Sequence, residues 1–186
     1  MKVRIIISVL MLLAVIGGTV FGQSASDYVD RGEAFLRQGE FDKAIAEFTS
    51  AIRLNPNDVA AYLFRAQAYA FKGDLDRTIA DYTQAIRIEP SLESVAVVRD
   101  GFVDAYVRRG NAYANKGDWD RAIADFTSTI RLNPNLASAY INRGLAYEEK
   151  DDLDRAIADF EAALRIDPNN AGARQVLDMF RQWRGR

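Results

Sequence analysis

The prolines of this chain are periodic. Pro56, Pro90, Pro134 and Pro168 are its only four, and they stand 34, 44 and 34 residues apart. The same intervals separate Tyr28, Tyr62, Tyr106 and Tyr140, and again Phe48, Tyr82, Phe126 and Phe160. Self-similarity at a fixed period of this size marks a unit that cannot bury its apolar face alone and is stacked on copies of itself. Stability then belongs to the array, because each unit touches only its neighbours. The longer middle interval places an insertion near Glu93 to Phe102, between the second and third units.

Each unit carries two amphipathic helical patterns. In the first, Tyr28, Gly32 and Phe35 fall at helical spacing, followed by Phe41, Ala44, Ile45, Phe48 and Ala51. Gly39 breaks the pair, since glycine readily takes the left-handed conformation that closes a helix. Asp74, Asp118 and Asp152 follow the corresponding breaks, where an acid can cap a helix and meet the positive end of its dipole. Asn55-Pro56, Glu89-Pro90, Asn133-Pro134 and Asp167-Pro168 end the second helices, because proline disfavours helix in the residue before it. A last pattern over 171–184, with Val176, Leu177, Phe180 and Trp183 on one side, predicts a helix that caps the final unit.

These residues resemble the tetratricopeptide repeat. The first copy reads Tyr28, Gly32, Phe35, Ala44, Phe48, Ala51, Pro56, and the second Tyr62, Ala66, Tyr69, Thr78, Tyr82, Ala85, Pro90. The third is Tyr106, Gly110, Tyr113, Ala122, Phe126, Thr129, Pro134, and the fourth Tyr140, Gly144, Tyr147, Ala156, Phe160, Ala163, Pro168. The resemblance implies an all-α, right-handed superhelix of antiparallel helix pairs. It divides the chain into repeats at 25–58, 59–92, 103–136 and 137–170, an insertion at 93–102 and a capping helix at 171–184.

In this family the first helices line a concave groove that receives a peptide. Carried over, the lining is Val29, Glu33 and Leu36, then Leu63, Phe64, Gln67 and Phe71. It continues through Val107, Arg108, Asn111 and Asn115 to Ile141, Asn142, Leu145 and Glu149. Phe64 has a rival place between repeats. Members that grip a terminal carboxylate do so with several cationic and amide side chains; only Arg108 keeps the needed positive charge at the matching sites, which argues against such a clamp here. The insertion is read either as a lengthened turn or helix, or as a hook beside the groove, because Val95, Ala96, Val97 and Val98 are too apolar for a flexible linker.

A second ladder accompanies the first. Arg31, Arg65, Arg109 and Arg143 recur on the first helices, and Glu47, Asp81, Asp125 and Asp159 recur directly before the packing aromatic of the second. Each arginine is expected to pair with the acid of its own repeat or of an adjacent one. The alternative is an exposed basic stripe.

Composition narrows the chemistry. There is no cysteine or histidine, which removes disulfides, thiol nucleophiles, imidazole bases and the metal ligands both supply. The net charge of −2 has no basic stripe of the kind nucleic acid requires. The acids from Glu148 to Asp154 lack the glycine and alternating spacing of a calcium loop. No cofactor and no metal is therefore expected, nor is an enzyme. Lys2 and Arg4 precede an apolar stretch from Ile5 to Val20, the pattern of a signal peptide over 1–22. The rival reading is an uncleaved membrane anchor.

The expectation is an exported, periplasmic, non-catalytic scaffold of a bacterial cell-envelope assembly that binds a protein or peptide partner and, once cleaved, no membrane. The alternatives are a homo-oligomeric structural protein and a lipid- or carbohydrate-binding groove. Intact-mass measurement of the exported protein should find Gln23 as its first residue; a retained Met1 would leave the anchor.

Overall fold

A computed structural model describes residues 23–184. The proposed signal segment and the side chain of Trp183 lie outside the described part. Helices α1 (Ala25–Arg37) and α2 (Phe41–Leu54) form the first pair, and α3 (Val59–Lys72) and α4 (Leu75–Ile88) the second. After a 3-10 turn at Pro90–Ser94 come α5 (Ala96–Ala114) and α6 (Trp119–Leu132), then α7 (Ala137–Glu148) and α8 (Leu153–Ile166). Helix α9 (Ala171–Arg184) closes the array against α8. Every helix packs on the next, so the architecture is the all-α solenoid expected of the periodicity.

Local chemistry sets the boundaries. Ser24 and Asp27 form a reciprocal capping box on α1, and Asp58, Asp74, Asp118 and Asp152 accept a backbone N–H at the starts of α3, α4, α6 and α8. The turn inside each pair needs a left-handed residue, and Gly39, Gly73 and Gly117 supply it at φ of 75°, 77° and 73°. In the fourth repeat Asp151 takes the same place at φ 58°, a region aspartate enters more readily than most residues.

Within a pair, the aromatic of the second helix sits against a glycine of the first. Phe48, Phe126 and Phe160 are fully buried, over Gly32, Gly110 and Gly144 respectively. The second repeat breaks this rule. Ala66 replaces the glycine, and the opposing ring is Tyr82, whose hydroxyl end lies against Gly101 of the following helix. Tyr82 also tilts onto Phe102 at 5.1 Å between ring centroids. The sequence boundary set the insertion at 93–102; in the structure its last seven residues are the first two turns of α5, which runs 19 residues. Val98 and Phe102 are buried against α4, while Val95 and Val97 remain exposed. The insertion is thus packed into the array as a helix extension.

The arginine ladder closes each repeat from the side. Arg65 donates through Nε and Nη2 to the two carboxylate oxygens of Asp81 at 2.8 and 2.7 Å. Arg109 does the same to Asp125, and Arg143 to Asp159. Arg31 reaches a single oxygen of the longer Glu47. Arg31 also lies over Tyr28 alone at 4.5 Å; in the last three repeats the guanidinium lies over the two tyrosines of its own helix, as in Arg65 over Tyr62 and Tyr69 at 5.6 and 5.8 Å. Its remaining donor bridges backward to the preceding repeat, Arg65 to Thr49 and Arg143 to Thr127. Burial is the largest influence on Arg65 and works against its charge, but the hydrogen bonding and charge of Asp81, with Tyr69 and Tyr62, together outweigh it and hold its pKa above the usual arginine value. Hydrogen bonding to Asp125 and Asp159 raises Arg109 and Arg143 likewise. The pairing expected of the ladder is present in all four repeats.

Two stability outcomes follow from these contacts. A Cβ added at Gly32 would lie 2.5 Å from a Phe48 ring carbon, whereas at Gly144 the nearest atom is 3.2 Å away. Overpacking costs about 1–3 kcal/mol and the helical gain of Gly→Ala is about 0.5–1 kcal/mol. Gly32→Ala should therefore lower the denaturation midpoint clearly and Gly144→Ala should be near neutral. In the ladder, Arg65→Met strands the buried Asp81, whose side chain is 8% exposed, at a cost of about 3–5 kcal/mol. The double variant Arg65→Met/Asp81→Leu should recover most of that in the same denaturant titration.

Candidate functional site

The contact pattern between repeats fixes which helices face inward. α1 touches α3, α3 touches α5 and α5 touches α7, while among the described residues the second helices make no comparable contact with one another. The more closely spaced layer is the inside of a curve, so the concave face is carried by the first helices.

At its amino-terminal end this face is largely occupied by the core. Val29 is buried, 9% exposed, and Leu36 packs on the same cluster; Glu33 is half-buried and pairs with Arg37 at 3.0 Å. In the second repeat Leu63 packs against the neighbouring cluster, and Phe64 stacks on Phe48 at 5.7 Å, filling the gap between repeats. Val29 and Phe64 thus support the face from beneath. Gln67 is exposed, and Phe71 is 61% exposed although its ring stacks on Phe41 at 5.0 Å.

The carboxy-terminal half is polar. Arg108 donates to the Ala70 carbonyl at 3.1 Å and to Asp104 at 3.3 Å, which ties α5 across to the end of α3. Asn111 and Asn115 are exposed, and Asn142 donates to the Asn111 side-chain oxygen at 3.3 Å. Val107 is half-buried, and Ile141 packs on the third core cluster. Leu145 is 41% exposed and Glu149 stands exposed at the end of α7. The face therefore joins an apolar point at Phe71 to an amide pair at Asn111 and Asn142.

One contact that shapes this surface had no signal in the sequence: Asn111 and Asn142 do not occupy equivalent places in their repeats, so a search for ladders passes over their bond. The pairs Lys72 with Asp42 and Lys150 with Asp120, which clip adjacent repeats together at the rim, are drawn from residues that do recur with the period, Asp42, Asp76 and Asp120 and Lys72, Lys116 and Lys150, a ladder the sequence reading passed over. Tyr82 lies nearby, its pKa raised by burial and then by the charge of Asp104.

The acids of the 148–154 run serve the fold. Asp152 caps α8 and pairs with Arg155, and Asp151 makes the turn. Glu148 is shifted upward by burial and by Glu149. Among the described residues no group of three or more acidic side chains is placed to hold a metal ion, and no helix is long and apolar enough to cross a membrane.

Solved structures share this architecture. A crystal structure of MamA is 24% identical with a TM-score of 0.53, the match covering 83% of this chain and 84% of that one. MamA from Desulfovibrio magneticus RS-1 is 21% identical with a TM-score of 0.54, covering 88% and 87%. A tetratricopeptide repeat protein from Parabacteroides merdae is 22% identical with a TM-score of 0.55; the match covers 88% of this chain and 61% of that one. No curated protein matches the chain. Two family models, both described as tetratricopeptide repeat, match residues 29–93 and 110–181, together well over half of the sequence. Proteins built this way are generally non-catalytic scaffolds for protein–protein interaction. With its four repeats, its glycine–aromatic pairs and both matches in agreement, this chain belongs to the tetratricopeptide repeat family.

Proposed function

We propose that the inner face of this array binds an extended segment of a protein partner, with Phe71 as its apolar anchor. The observation that carries the reading is the exposure of that ring, 61%, on the layer that faces inward. A large aromatic left in water at the edge of a concave surface gains from being covered, and such residues dominate the energy of many interfaces. The Asn111–Asn142 pair complements it. Each side-chain amide offers a donor and an acceptor, the same set a peptide backbone presents, so an extended chain can be held without reading its side chains.

The same proposal includes export and a place in a bacterial cell-envelope assembly. Its support is the basic pair Lys2 and Arg4 ahead of the apolar run from Ile5 to Val20.

A photo-crosslinking residue at Phe71, expressed in the native host with a matched control at the exposed Arg87, tests the face. One protein captured at Phe71 and absent at Arg87 is the expected result. Its affinity for the purified chain should then fall about tenfold or more in Phe71→Ala, with the melting temperature little changed. Equal capture at both positions, or an unchanged affinity, would remove the inner face from the mechanism; capture of the chain by itself would make the protein a homo-oligomer.

A further inference from the structure

The junction between the second and third repeats is built differently from the others, and the difference leaves a cavity. At the first and third junctions the spare donor of the ladder arginine crosses to a threonine on the preceding second helix, Arg65 to Thr49 and Arg143 to Thr127. The equivalent bond from Arg109 would reach Thr83. Arg109 turns instead to Asp76, at 2.6 Å, and Thr83 makes only the local bond to the Ile79 carbonyl. Beside Thr83 the extended start of α5 and the last turn of α6 enclose a volume of about 280 Å³.

Its walls combine two chemistries. Ile86, Phe102 and Leu132 form an apolar floor, with the Tyr106 ring stacked on Phe102 at 5.8 Å. Arg131 and Arg99 stand at the rim with Glu93. Arg131 is exposed and has no hydrogen bond or ion pair among the described residues. Arg99 contacts only its chain neighbour Asp100, at 3.5 Å. The other hollows differ in kind. The one beneath Lys72 and Tyr113 contains Arg109 and Asp76 already paired to each other, and those on α9 lie on its exposed face or against α8.

We propose that this cavity binds a compact amphipathic carboxylate, its apolar body on Ile86, Phe102 and Leu132 and its carboxylate on the Arg131 guanidinium beside Arg99. Charge selects the anion. With Arg99 paired to Asp100 and Glu93 close by, the anion is drawn by the one rim cation without a partner among the described residues, Arg131, a single charge that suits a monoanion better than a phosphate dianion. Guanidinium matches the planar carboxylate through paired N–H donors. Size selects the body. The volume lies just below the range that holds drug-sized ligands, so the occupant is a fragment such as an arylalkanoate or a branched short-chain acid. The same chemistry is carried by a free acid and by the carboxylate of a peptide that ends in an apolar residue. This site is separate from the inner face and does not depend on the partner proposed for it.

The test is a titration of the full chain with 4-phenylbutyrate, followed by methyl NMR at Ile86 and Leu132, with Ile45 and Ile52 in the first repeat as distant controls. Saturable shifts confined to Ile86 and Leu132 are expected. The neutral 4-phenylbutyramide and inorganic phosphate should each bind at least about tenfold more weakly, the usual size of one charged hydrogen bond. Arg131→Gln should weaken 4-phenylbutyrate by a similar factor. Because Arg131 has no protein partner, that variant should melt with the parent protein, and Arg53→Gln, its counterpart in the first repeat, should bind normally. Acetyl-Gly-Phe as a second probe separates the sources: tighter binding than the free acid identifies a peptide terminus, weaker binding a small metabolite. Absence of saturable shifts at Ile86 and Leu132, or equal binding of acid and amide, or an unaffected Arg131→Gln, would overturn the assignment.

Discussion

The close approach of the paired helices, an aromatic ring set on a glycine, is the contact on which everything else rests. Helices of 12 to 14 residues are too short to persist alone in water. They hold here because Phe48, Phe126 and Phe160 each seal a pair, and because each pair buries its outer side against the next. The ladder of Arg–carboxylate pairs is secondary to this. Charges so buried cost heavily to desolvate, and their forked geometry contributes register between helices more dependably than free energy.

The second repeat shows what happens when the primary contact is changed. A methyl group at Ala66 occupies the space that glycine leaves elsewhere, and Tyr82 finds its close neighbour in Gly101, on the next repeat. That glycine exists only because of the insertion. The added turns of α5, the tyrosine and the alanine are therefore one structural solution, and the same junction is the one where Arg109 bonds Asp76 and not Thr83.

The two ends of the inner face differ for a related reason. In the first repeat the inward residues Val29 and Leu36 are used in the core cluster shared with Ala61 and Ala68 of α3. Farther along, Leu63, Phe64 and Ile141 still join the packing between repeats, while the other inward positions are polar or exposed, as Gln67, Asn111 and Asn115 are. A repeat protein can vary such positions widely because the fold does not depend on them.

Much of this was legible in the sequence. The period set the architecture, because glycine, aromatic and proline are each dictated by a backbone or packing need that recurs in every unit. The arginine–acid pairing was legible for the same reason: two residue types recurring in step are held by the same geometry four times. The helices' inward positions could be named by register, but their exposure could not: Phe64 was left with two places, in the groove or between repeats, and only packing puts it against Phe48 and leaves Phe71 open. The packing of the insertion, the Asn111–Asn142 bond and the cavity above Ile86 occur once each. Periodicity carries no information about what does not repeat, and such features arise from contacts between residues far apart in the chain, which only the tertiary structure decides.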